Sequence, residues 1–78
     1  MFIKIEMLVP VTAGHEEHWQ LATPNSERVD WDEFLRLNPH MIVGQIEEVY
    51  LELTLDGIAY LGGGAAPFLR LSKLEEVL

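Results

Sequence analysis

Three groups of residues in this 78-residue chain have types and spacings that could do chemistry. The first is the run Gly62-Gly63-Gly64, followed by Ala65-Ala66-Pro67. Consecutive glycines can cradle a phosphate, but a P-loop needs Lys and Ser/Thr directly after its last glycine, and a dinucleotide fingerprint needs G-x-G-x-x-G opening a helix. Here no lysine follows until Lys73, and Pro67 removes a backbone donor that an anion would use. The run is therefore read as shaped backbone, not as a nucleotide site.

The second group is His15-Glu16-Glu17-His18. On a helix the two histidines would share a face at i, i+3, and a glutamate could add an oxygen ligand, with His40 near the end of another helix. The second histidine comes one residue too early for H-E-x-x-H. A metal or small-ligand module using His15 and His18 is the weakest of the readings, and no cofactor is expected.

The third group is the carboxylates. Glycosidase or nuclease chemistry needs two that converge in a cleft or hold Mg²⁺ between them. Glu47 and Glu48 are adjacent on a predicted strand and so point to opposite faces. Asp30 and Glu33 already have the spacing of a capping box. Ser26 and Ser72 lack a nucleophile-elbow context, and so short a chain leaves little room for a concave pocket. An enzyme is not expected.

What remains is the charge itself. The net charge is −8, and all of it lies in the middle: Glu16 to Asp56 holds ten acids against Arg28 and Arg36, while the flanking stretches each sum to zero. A field of that sign repels phosphate backbones and attracts basic surfaces, so a protein partner is expected and direct nucleic-acid binding is not. The residues assigned to that partner are Asp30, Asp32, Glu33, Glu47, Glu48, Glu52 and Asp56. Glu48, Glu52 and Thr54 would line one strand face at intervals of about 7 Å, a spacing that can imitate a phosphate backbone. The alternative is a solvated acidic face that keeps an apolar chain in solution.

As a small, acidic, cysteine-free chain, the protein resembles in profile the phage-encoded inhibitors, anti-CRISPR and anti-restriction proteins among them. The resemblance is one of composition and covers no motif. It implies an inhibitor that docks its acidic surface on a basic, nucleic-acid-binding site of its target.

The elements that would position these residues follow from periodicity and capping. Phe2 to Val11 alternates, with Ile3, Ile5, Met7, Val9 and Val11 on one side, which predicts a strand over 2–10 with an edge position or an end at Pro10. Residues 15–22 form either a helix of two turns or a structured loop. Asp30 with Glu33 is a capping box, Val29 and Phe34 occupy the staple positions, and Pro39 ends the run, so 31–37 is helix. Val49, Leu51, Leu53 and Leu55 alternate with Glu48, Tyr50, Glu52 and Thr54 up to Asp56-Gly57. That pattern predicts a hairpin of strands 45–55 and 58–63 with Leu55 opposite Ile58 and Leu51 opposite Gly62. In this register Gly62 and Gly64 leave space on the core face and Tyr50 lies over Gly63. A fourth strand follows at 67–71, and Ser72 with Glu75 is a second capping-box pattern for a final turn.

The expected fold is thus α+β: one domain over 1–78, with a small antiparallel sheet of three to four strands and one or two short helices on one face. The absence of cysteine, of a signal peptide and of any apolar stretch near 20 residues predicts a cytoplasmic protein away from membranes. Apolar residues make up 49% of the chain, more than so small a domain hides easily. This predicts, as the rival to the inhibitor reading, an assembly subunit that forms a homo-oligomer through an edge strand and its apolar excess.

Overall fold

In the computed structural model, which describes residues 1–9, 18–63 and 66–75, the chain runs through five strands and two helices. They are β1 (Phe2–Val9), β2 (His18–Leu21), β3 (Val29–Asp30), α1 (Trp31–Leu37), α2 (Val43–Asp56), β4 (Ile58–Gly63) and β5 (Ala66–Lys73). All pairings are antiparallel, in the order β2-β1-β5-β4, with β3 also on β1. The architecture is the expected α+β, a small antiparallel sheet with two helices.

Cross-strand partners share a face of a sheet, and the register shows which face is the core. Ile5 lies opposite Leu71, and Leu71 opposite Ala59, so one row of three buried residues crosses β1, β5 and β4. Ile3 extends that face, and against it pack Trp31 and Phe34 of α1 with Val49 and Leu53 of α2. At about 25 cal/mol per Å² of apolar area, these few large side chains carry most of the hydrophobic stabilisation so short a chain can gather.

α1 forms where its signals predict. The Asp30 carboxylate accepts from the Asp32 N–H at 3.2 Å, while Glu33 turns along the helix to Arg36 instead of closing the capping box. Asn38 ends the helix by donating its side-chain amide to the Phe34 carbonyl at 2.8 Å.

α2 replaces the predicted strand 45–55. Ile46, Val49 and Leu53 fall at i, i+3 and i+7 and form one inward stripe, whereas Leu51 and Leu55 turn outward at 56% and 72% exposure. Leucine and glutamate both favour helix over strand, and a 14-residue helix can dock its stripe on the sheet. Asp56-Gly57 is accordingly not a hairpin turn. Gly57 is the helix C-cap at φ 76°, donating its N–H to the Leu53 carbonyl and accepting from the Lys73 N–H at 2.8 Å. The residue turns the chain from helix directly into the edge strand β4.

The expected pairing of Leu55 with Ile58 and of Leu51 with Gly62 is therefore absent. β4 pairs with β5, with Tyr60 opposite Arg70, Leu61 opposite Leu69 and Gly63 opposite Ala66. The register shifts between Leu61 and Gly63, where Gly62 takes φ 104°, a conformation glycine reaches without strain. The glycine run thus shapes the end of a strand beside β5 and not beside Tyr50; Gly64 lies outside the described residues.

His18–Leu21 is a strand, neither the helix nor the structured loop expected over 15–22; residues 15–17 lie outside the described residues. β1 is central, with β5 on one side and β2 and β3 on the other, so the edge alternative falls, while the strand ends at Val9 as the other alternative has it. Ser72 and Lys73 continue β5, so Ser72 caps no helix.

Candidate functional site

The seven carboxylates assigned to a partner divide by how much of their bonding capacity the fold uses. Asp30 caps α1, and Glu33 forms a hydrogen-bonded ion pair with Arg36, 3.1 Å from the Arg36 Nε. That hydrogen bond, with the charge of Glu33 behind it, raises the Arg36 pKa above its ordinary value. Asp32 is exposed in the first turn, where the helix dipole favours an acid. Glu47, Glu48, Glu52 and Asp56 all lie on α2 and have no ion pair among the described residues.

Helical periodicity reorders those four. Glu48, Glu52 and Asp56 stand at i, i+4 and i+8, a single stripe about 12 Å long at 1.5 Å rise per residue. Glu47 is on the opposite flank of the helix. It borders a groove of about 430 Å³ lined by Trp31, Ile46, Tyr50, Leu51 and Thr54, where the Trp31 and Tyr50 rings meet at 5.5 Å. Thr54, expected beside Glu48 and Glu52, lies in this groove and donates its hydroxyl to the Tyr50 carbonyl at 2.9 Å. Between the two flanks runs a crest of Leu51 and Leu55. α2 thus presents an acidic stripe, an apolar ridge and an aromatic-walled groove side by side.

The helix is poorly built for its own stability. Ile42 at its N-cap makes no side-chain cap bond, the first turn has no acid and the last turn no base. Each like-charged i, i+4 pair destabilises by about 0.2–0.5 kcal/mol. Asp56 also sits at the negative end of the helix dipole, which opposes an acid by about 0.3–1 kcal/mol.

Other candidates are accounted for within the fold. The Ser26 hydroxyl is buried, bonded to Thr23 Oγ1 at 2.8 Å and accepting from the Thr23 N–H, so it closes a turn that docks on Ile5. A groove of about 600 Å³ beside it has Ile5, Phe34 and Leu69 on its floor. Its rim groups Thr23, Ser26, Asp30, Glu33 and Asn38 are already hydrogen-bonded within the chain, and Arg28, also on the rim, lies 4.0 Å over the Phe2 ring. His18 lies on β2 opposite Val9, and His15 is outside the described residues. Among the described residues no three His, Asp or Glu side chains are grouped to hold a metal.

The residues missed by sequence reasoning are on the other face of the sheet. Glu6, Leu8, Trp19, Leu21, Ile58, Tyr60, Phe68 and Arg70 share the face that no described element covers. Trp19, Tyr60 and Phe68 form a triangle with centroids 5.8–6.0 Å apart. Arg70 sits 4.5 Å over the Trp19 ring and donates to the buried Glu6 carboxylate at 3.0 and 3.2 Å. Alternation of Tyr60 and Phe68 with small or apolar neighbours was the available signal, but it has meaning only once β4 is known to pair with β5.

Comparison with family models, with curated proteins and with solved structures finds no match. No described helix is long and apolar enough to cross a membrane.

Proposed function

We propose that this protein is a non-enzymatic binding module that docks the outward face of α2 on a basic surface of a partner protein. The observation that supports the reading is the composition of that face: four carboxylates and no cation of the helix's own, with Leu51 and Leu55 exposed beside them. A solvating surface needs charge but not an exposed leucine crest. A basic groove with apolar walls is the complementary surface, its Lys and Arg heads on Glu48, Glu52 and Asp56 and its aliphatic parts on the leucines.

A target that normally holds a nucleic-acid backbone has such a surface. The protein then acts as an inhibitor, in the cytoplasm, by occupying the phosphate track with carboxylates. The absence of cysteine fits a reducing compartment. In this reading the site consists of Glu48, Glu52 and Asp56 with Leu51 and Leu55. Glu47 at the aromatic groove is a second contact, and Asp30 and Glu33 stay structural.

The experiment is a titration of the captured partner at rising salt. Affinity that falls steeply between 50 and about 300 mM salt, as screening at a Debye length of about 10 Å and less requires, supports the reading. An affinity independent of salt overturns it.

A further inference from the structure

We propose that the open face of the sheet, centred on Trp19, Tyr60 and Phe68, is where a second copy of this chain docks. The inference is independent of the role given to α2, which lies on the opposite side of the molecule.

Charge selects the occupant. A chain of net charge −8 repels its own copies over most of its surface. Among the described residues most acids lie in or directly before the two helices. On the open face Arg70 is matched by Glu6, and Lys4 lies 3.8 Å from the same carboxylate. Among the described residues the aromatic patch therefore carries no uncompensated negative charge. It is a surface two copies can bring together without stacking carboxylates.

Apolar exposure agrees. Ten large apolar side chains are exposed among the described residues, and Leu21, Ile58, Tyr60 and Phe68 are on this one face. Tyr60 is 50% and Phe68 40% exposed, at positions that a covered sheet would bury. Four strands spaced by about 4.8 Å and some six residues long span roughly 20 by 20 Å. With side-chain relief such a face offers about 600–800 Å² per protomer, which is the share each partner contributes to a standard interface. A two-fold arrangement lets each Tyr60–Phe68 pair meet the same pair of its partner.

Single-stranded nucleic acid also uses aromatic sheets, through free ring faces and free cations. Here the Trp19 face is taken by Arg70, and Arg70 is taken by Glu6. The platform is closed on itself, which favours a protein surface.

The test is sedimentation equilibrium of the full chain from micromolar to millimolar concentration, with NMR of the same samples. The expected species is a dimer of about twice the 8.9 kDa chain mass, and dilution should move amide shifts chiefly at residues 19, 58, 60 and 68. Tyr60→Ser and Phe68→Ser, as central aromatic anchors, should each weaken the dimer about thirty-fold. Leu51→Ser and Leu55→Ser should leave the dimer unchanged. Two results overturn the proposal: a monomer throughout, whether or not a single-stranded oligonucleotide quenches its tryptophan emission, or dilution shifts confined to α2. The dilution map uses the wild-type chain, so a serine variant that fails to fold leaves the test intact.

Discussion

Leu51, Leu53 and Leu55 give a direct energetic reading of the middle of the chain. On a strand they share one face and all three matter equally; on α2 only Leu53 points inward. Leu53 is 0% exposed and packs with Val49, Phe34 and Leu71, whereas Leu55 is among the most exposed apolar residues described. Truncating a fully buried leucine to alanine removes its transfer energy and leaves a cavity, together about 2–5 kcal/mol. Truncating an exposed one stays within about 0.5 kcal/mol. A domain of this size has roughly 4–12 kcal/mol in all at 0.05–0.15 kcal/mol per residue. Leu53→Ala therefore removes a large part of it and, at about 4–8 °C per kcal/mol, lowers Tm by at least about 8 °C. Urea and thermal unfolding followed by far-UV circular dichroism measure all three variants on one scale. Comparable losses for Leu51→Ala, Leu53→Ala and Leu55→Ala would falsify the helical assignment and restore the hairpin.

Two other substitutions probe how the elements are joined. Gly57→Ala should destabilise by about 1–2 kcal/mol through its left-handed φ alone, because nothing lies within 4 Å of the added methyl. A neutral result in urea unfolding would contradict the C-cap. Arg70→Ala should cost about 1–3 kcal/mol by leaving the buried Glu6 carboxylate without its main partner, and Glu6→Gln in the same background should recover part of that loss. Thermal melts of the pair report this, and additive losses would show that the two residues do not act together.

How much of this was legible in the sequence depends on where each signal resides. β1 and α1 were readable because their cues are local: alternation from Ile3 to Val9, and Asp30, Glu33 and Pro39 around one helix. α2 was not, because its residues satisfy both periods. Leu51, Leu53 and Leu55 alternate, yet Ile46, Val49 and Leu53 also make a helical stripe, and only docking on Ala59 and Leu71 decides between them. Asp56-Gly57 compounds the ambiguity, since a type I′ turn and a helix C-cap both require glycine at positive φ. With no side-chain cap at Ile42 and an acid in its last turn, α2 lacks the end signals that would have marked it. The acidic residues were recognised as a group, but their division into a stripe and a groove contact exists only on a helix. The aromatic triangle joins Trp19 of β2 to Tyr60 and Phe68 on the β4–β5 pair, far along the sequence from it, so no local pattern brings all three together.

The central claim is that α2 keeps its acids for a partner and not for its own stability. The variant Glu48→Lys, Glu52→Lys, Asp56→Lys tests it with two readouts on one protein. Lysine in the last turn suits the helix dipole, so replacing Asp56 should raise stability, by about 1 kcal/mol or less once the new like-charged lysine pairs are included. Partner affinity, measured by calorimetry on the partner captured with the wild-type chain, should fall by at least about a hundred-fold, as three reversed contacts to a basic surface require. A folded variant that binds as tightly as wild type, at low and high salt alike, would contradict the account.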